Sequence, residues 1–303
     1  MKHFLSIADL DRGDIPEIFR MAAEYKNDRR HSPASLLKGK TWGLIFSKPS
    51  TRTRVSFEVG IRELGGEAIY LNANDIQLGR GELIKDTARV LGRLIDGAVI
   101  RTFAQSDIEE FAEFSGVPTI NALTDDEHPC QILSDVFTIE EKRGNIAGKI
   151  VTFVGDGACN TARSWTLAAA KFDFQLRIAA PHRYQPEPEW LRRAGGSVVC
   201  TTDLREAARN ADVLYTDIWV SMGTELESAR REAELGPYWI NDAIVDLAKR
   251  DALVMHCLPA HRGQEIDAQT LEANASTIFD QAENRLHVQK AILAKLAAET
   301  HSA

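Results

Sequence analysis

The chain has 303 residues, 44% of them hydrophobic, and a formal net charge of −8 at pH 7. That length suffices for two ordinary cores, and the acidic balance argues against general affinity for nucleic acid or anionic membranes. Any bound anion must therefore be met by a local cluster of cations, for which Arg52, Arg54 and Arg101 are candidates.

The opening stretch, MKHFLSIADLDRGD, carries acids and no long apolar core, so no secretory signal is expected. No run approaches the ~20 apolar residues of a membrane span, and a cytoplasmic protein is expected. The cysteines, at 130, 159, 200 and 257, are scattered without any CxxC pair. His128 near Cys130, and the adjacent His256 and Cys257, are poor spacings for one zinc ion. Reduced thiols, no metal and no cofactor are expected.

In chain order, strand-like apolar runs fall at 41–46, 68–72, 97–102, 118–122, 149–154, 176–180, 197–201, 213–216 and 252–256. Helical patterns alternate with them, at 82–95, 108–114, 131–142, 162–171 and 204–208, with a last one at 283–298. Continuous apolar strands between amphipathic helices predict an α/β fold with parallel sheets covered on both faces. The pattern pauses at Gly144-Asn145-Ile146-Ala147-Gly148, a plausible break between two halves. The expectation is two doubly wound domains, 1–144 and 145–281, joined by interdomain helices, with 282–303 as a C-terminal helix.

Between the first strand and the helical pattern after it stands Ser50-Thr51-Arg52-Thr53-Arg54. A helix N-terminus offers unpaired N–H groups and a positive dipole end. Hydroxyls and forked guanidiniums at the same place make a phosphate cradle. The plainer reading is an ordinary Ser/Thr helix cap with solvent-facing arginines. In open parallel sheets, ligands bind beyond the carboxyl ends of strands. Arg101 ends the third predicted strand and His128 follows the fourth, while Asp156, Asp217 and Cys257 follow strands of the second half. A solvated strand end is the alternative for Arg101, a loop histidine for His128, a helix cap for Asp217, and inert packing for Cys257.

Four segments in order resemble the ornithine carbamoyltransferase family: SKPSTRTRVSFEVG from Lys48, HPCQ from His128, DIWVSMG from Asp217 and HCLPAHRG from His256. The likeness runs from about residue 4 to 295. The first two elements suit any carbamoyltransferase that uses carbamoyl phosphate, including the aspartate enzyme; the last two resemble the ornithine branch. The resemblance implies transfer of a carbamoyl group from carbamoyl phosphate to the δ-amine of L-ornithine, giving L-citrulline and phosphate, in arginine metabolism. It places Ser50, Thr51, Arg52, Thr53, Arg101 and Arg285 on carbamoyl phosphate. His128 would donate to the carbonyl oxygen and Gln131 would accept from the carbamoyl amide. Cys257 and Leu258 would line the reacting centre, and Gln77 would reach a neighbouring subunit's site in a homotrimer or a multiple of trimers. Asn160, Asp217, Ser221 and Met222 would hold the amino-acid acceptor. The implied catalytic residues are Arg52, His128, Asp217 and Cys257. The C-terminal helix is implied to pack back on the first domain.

The chain departs from the family where two asparagines commonly follow a Gly-Asp turn. Cys159 stands at the first of those positions, and Arg163-Ser164-Trp165 follows. These departures lie on the acceptor side and keep a modified ornithine, lysine or putrescine open as the amine. A nucleotide-binding dehydrogenase, suggested by VGDGACN after a strand, lacks the third glycine of its fingerprint and a ribose-binding acid. A catalytically dead carbamoyl phosphate binder is disfavoured because His128, Asp217 and Cys257 are all present.

Overall fold

The computed structural model describes residues 1–29, 35–72, 81–220 and 225–300. The chain divides into two compact units, Met1–Phe137 with Glu283–Ala303, and Thr138–Ala282.

The first unit holds a parallel sheet of β1 (Thr41–Phe46), β2 (Glu67–Asn72), β3 (Gly97–Arg101) and β4 (Thr119–Leu123), in the order β2-β1-β3-β4. Strand β3, GAVIR, is buried along its whole length, as a strand covered on both faces must be. Edge strand β2 is only half covered. The helices are α1 (Asp14–Asn27), α2 (Thr51–Glu63), α3 (Ile84–Leu91), α4 (Gln105–Ser115) and α5 (Pro129–Arg143), the last running on into the second unit. Ile45, Ala88, Ile95, Ala98, Ile100, Ile108 and Phe111 form one core between sheet and helices. Helix α3 stops at Leu91, short of the predicted 95, where a side chain on Gly92 would collide with the carbonyl oxygen of Ser115 at 1.8 Å. The backbones of two helices meet there, and only glycine permits it.

The second unit's sheet is β5 (Ile150–Val154), β6 (Gln175–Ala179), β7 (Val198–Thr201), β8 (Val213–Thr216) and β9 (Leu253–His256), all parallel, in the order β7-β6-β5-β8-β9. Its helices are α6 (Asn160–Phe172), α7 (Pro188–Arg193), α8 (Leu204–Ala208), α9 (Ser228–Leu235), α10 (Asp242–Val245) and α11 (Ala268–Ala273). Helix α12 (Ala275–Thr300) starts in this unit, earlier than the predicted 283, and continues through Glu283 into the first. No helix among the described residues is long and apolar enough to cross a membrane.

Strand order reverses between β1 and β3 in one sheet and between β5 and β8 in the other. The space beyond the carboxyl ends at such a reversal is where open α/β sheets bind ligands. Ser50–Thr53 follow β1 and Arg101 ends β3; the Asp156–Asn160 turn follows β5 and Asp217 follows β8. Each unit therefore presents its motifs at its own switch point.

Candidate active site

In the first unit, Ser50 is extended and its Oγ accepts from the Thr53 N–H at 3.3 Å, so it caps α2. The cap leaves the positive dipole end of α2 and the threonine hydroxyls at that terminus. Arg54 is turned to other uses: its Nε donates to Glu58 at 2.9 Å and its guanidinium lies over the Tyr70 ring at 3.6 Å. Lys48 is buried, paired with Asp125 and 4.4 Å from the Phe103 ring centre. The side chains of exposed Arg52 and buried Arg101 have neither hydrogen bond nor ion pair among the described residues. Phe46 stands opposite Arg101 in the β1–β3 register, so β3 delivers that arginine beside the start of the cradle. Burial first, then the charges of Arg285 and Arg52, lower the Arg101 guanidinium to about 10.

His128 precedes α5 and is buried. Burial, followed by Arg285 and Arg101, holds its pKa well below the usual histidine value, so the ring is neutral at pH 7. A neutral imidazole has one donor and one acceptor nitrogen, and so can donate to a carbonyl oxygen without carrying charge. The loop before it is pinned by Glu127, whose carboxylate accepts from Ser6 Oγ at 2.7 Å and the Ile7 N–H at 3.1 Å. Arg285, on α12, donates to Gln131 Oε1 at 2.7 Å and to Thr53 Oγ1 at 2.9 Å. With its amide oxygen turned to Arg285, Gln289 accepts from Nη2 at 3.1 Å and Nε at 3.2 Å. Gln131 in turn donates to Asp135 at 2.9 Å. Arg285 thus spans α2, α5 and its own helix. Cys130, buried and donating to the Asn121 carbonyl, is pushed up to about 12 and is inert.

In the second unit, the Asp217 carboxylate gathers the site. Its Oδ1 accepts from the Cys257 thiol at 2.9 Å and the Ile218 N–H at 2.7 Å, and its Oδ2 accepts from Thr161 Oγ1 at 2.8 Å. Asn160 and Thr161 open α6, which Cys159 caps by accepting from the Ala162 N–H at 3.5 Å. Burial, then Asp156 and Asp217, push the Cys159 thiol well above its usual range, so it stays protonated. Cys257 is aimed by the buried residue before it. His256 Nδ1 accepts from the Leu258 N–H at 2.9 Å, which leaves the proton on Nε2, 3.0 Å from Glu265. The His256 N–H donates to Gln281 at 2.9 Å. Leu258 has φ +56° and a cis bond to Pro259, and packs against the unit's core. Gln77, Ser221 and Met222 lie outside the described residues.

Residues 2–141 match the family described as "Aspartate/ornithine carbamoyltransferase, carbamoyl-P binding domain", and 147–296 match "Aspartate/ornithine carbamoyltransferase, Asp/Orn binding domain". The chain belongs to the aspartate/ornithine carbamoyltransferase family. It is 52% identical to the ornithine carbamoyltransferase of Akkermansia muciniphila over 98% of each chain. It is 48% identical to the anabolic ornithine carbamoyltransferase of Pseudomonas aeruginosa over 100% of this chain and 99% of that one. The solved ornithine carbamoyltransferase from Pyrococcus furiosus superposes with a TM-score of 0.90 at 45% identity, covering 97% of this chain and 96% of that one.

Within this family framework, the departures after the Gly-Asp turn separate. Trp165 is buried against Phe174 and Tyr215, at 5.6 and 5.3 Å between ring centres. Arg163 pairs with Glu187 at 3.2 Å and sits over Trp190. Among the described residues these contacts are packing ones, and Cys159 borders the Asp217 cluster. Asp156 is committed as well: it is buried and paired with Arg231, whose Nε donates to the Trp219 carbonyl at 2.6 Å. Burial, only partly offset by Arg231, raises the Asp156 pKa. Sequence reasoning missed Thr161, Arg231 and the His256–Glu265 pair. A threonine beside a site asparagine and a histidine beside a site cysteine were the available signals.

Proposed function

We propose that this protein is an ornithine carbamoyltransferase that moves the carbamoyl group of carbamoyl phosphate to the δ-amine of L-ornithine, yielding L-citrulline and phosphate. The observation that carries the phosphate side is Arg101, a buried guanidinium with no partner among the described residues, beside Arg52 and a capped helix N-terminus. The names of the relatives favour ornithine. In this reading Arg52, Arg101, Ser50, Thr51 and Thr53 hold the phosphate. His128, neutral, donates to the carbonyl oxygen as it gains charge, with Arg52 and Thr53 as further donors. Arg285 acts by holding Thr53 and Gln131 in place. The amine nitrogen attacks the carbonyl carbon, the carbon–oxygen bond to phosphate breaks, and phosphate departs with that electron pair. The amine's proton passes to the Asp217–Cys257 pair and on to solvent. Asn160, Asp217, Ser221 and Met222 orient the acceptor, and Leu258 lines the reacting centre with Cys257.

We further infer a cytoplasmic homotrimer, or a multiple of it, working in the biosynthetic direction. The first unit exposes Val55, Leu83, Val90, Leu94 and Phe103, apolar side chains that a subunit interface would cover. Sedimentation of a fully active monomer would refute the trimer. For the reaction, a colorimetric citrulline assay with ornithine, and with product-specific detection for lysine and putrescine, decides. The reading fails if ornithine is not the preferred amine.

A further inference from the structure

We propose that Thr161 is a positioning residue that decides which lone pair of Asp217 meets the incoming amine; this rests on the ornithine reading above. An ionised carboxylate offers about four acceptor positions, two on each oxygen. At Asp217 the Oδ1 positions are taken by the Ile218 N–H at 2.7 Å and the Cys257 thiol at 2.9 Å. Thr161 Oγ1, at 2.8 Å, takes one of the two on Oδ2. Among the described residues, a single acceptor position is left for an ammonium donor. Without the threonine hydroxyl there would be two, and the carboxylate could receive the amine in either.

The threonine is built for that task. It is buried, 2% exposed, and lies in the first turn of α6, where its backbone is fixed by the helix. Its hydroxyl has one proton, and the neighbouring Asn160 Oδ1 is 3.4 Å away against 2.8 Å for Asp217. The shorter contact, to a carboxylate, takes the proton. Asp217 therefore holds that donor in preference to Asn160. The groups facing Asp217 are the Cys257 thiol after β9, the Cys159 thiol before α6, and Asp156 after β5 with its Arg231 partner from α9. None of these supplies a second donor to Oδ2.

The test replaces Thr161→Val, which keeps the shape and removes the donor, Thr161→Ala, a second donor-free form, and Thr161→Ser, which keeps the hydroxyl. Full-length protein is assayed for citrulline formation across pH, and its melting temperature is read with and without inorganic phosphate. Expected for Val and Ala is a fall in kcat on the order of tenfold, the size of one hydrogen bond to a charged group, with KM for ornithine within about twofold. The acid limb should move to higher pH, because a carboxylate that loses a donor is protonated sooner. Ser should restore both, and every variant should keep the phosphate-induced rise in melting temperature. Wild-type kcat and an unmoved acid limb in Val would overturn the proposal. So would equal impairment of Ser and Val, which would point to packing of the methyl, or loss of the fold in both donor-free variants. A wild-type protein that makes no citrulline from ornithine would instead sink the functional reading itself.

Discussion

Replacing Arg101 by leucine should leave the free protein at least as stable while crippling its response to phosphate. The guanidinium is 8% exposed, has no hydrogen bond or ion pair among the described residues, and lies near two other arginines. Its pKa of about 10, well below the usual arginine value, amounts to about 3 kcal/mol opposing the charged form in the fold. The sign is that of a base with a lowered folded value. The penalty is absent above the unfolded pKa, grows as pH falls towards the folded one, and is complete at pH 7. Leucine removes it and forfeits part of the packing of the arginine stem, so urea unfolding in phosphate-free buffer should show a midpoint equal to wild type or higher. Bound phosphate repays the penalty in the wild type, where phosphate at ~100 times its dissociation constant should add about 2.7 kcal/mol. The variant should gain well under half of that, and its KM for carbamoyl phosphate should rise by at least tenfold. A variant that unfolds earlier without phosphate yet keeps the full phosphate gain would refute the idea that Arg101 is a strained cation awaiting an anion.

Cys257→Ser should leave the phosphate-induced stabilisation intact and lower citrulline formation on the order of 10²-fold, since it perturbs the group that receives the amine's proton; an unchanged kcat would remove Cys257 from the mechanism. Because the δ-amine must lose a proton, wild-type turnover should rise with pH to an alkaline plateau, and a flat profile would contradict the order of chemistry given above. Arg285→Lys should raise KM for carbamoyl phosphate and cost about 1–3 kcal/mol in urea, because one ammonium cannot serve Gln131, Thr53 and Gln289 together; normal kinetics would show the span to be dispensable. Buried Lys290 pairs with Glu63 at 2.8 Å. Burial pushes the Glu63 pKa up, but the bonds from Lys290 and Arg29 outweigh it and leave the carboxyl below its usual value. The pair's stability is therefore present above that usual value and lost as pH falls through the folded one, so Glu63→Gln should flatten the acid side of the stability profile.

The central strands were legible because a strand buried on both faces is a continuous apolar run, and the nine strands among the described residues, half-covered edges β2 and β7 included, fall within a residue or two of expectation. Helices α7, α9, α10 and α11 were not, since they are short and hold few buried residues, and α1 was passed over although its apolar stripe of Ile18, Phe19, Ala22 and Tyr25 was there to read. The capped start of α2 and the place of His128 before α5 were legible because local geometry at a strand end requires residues adjacent in sequence. What failed to show is pairing at a distance. Arg231 reaches Asp156 across 75 positions and Arg285 reaches Thr53 across 232, and no spacing rule announces either. Arg163 and Trp165 looked like changes to the acceptor side because they adjoin Asn160 in sequence. On a helix the residue five positions later faces elsewhere, as Trp165 does, and Arg163, one turn on from Asn160, carries its long side chain to Glu187 and Trp190.

The first unit is discontinuous along the gene: its cradle is encoded early, and the arginine that braces it is encoded near the end, on α12. A transcript cut after residue 141 would carry every motif that marks this half and still lack Arg285. Thr53 and Gln131 would lose their common donor. This half is therefore not a cassette that recombination can shuffle by simple end-to-end fusion. Any duplication, circular permutation or domain graft that keeps it working has to bring the tail of the coding sequence along with the head.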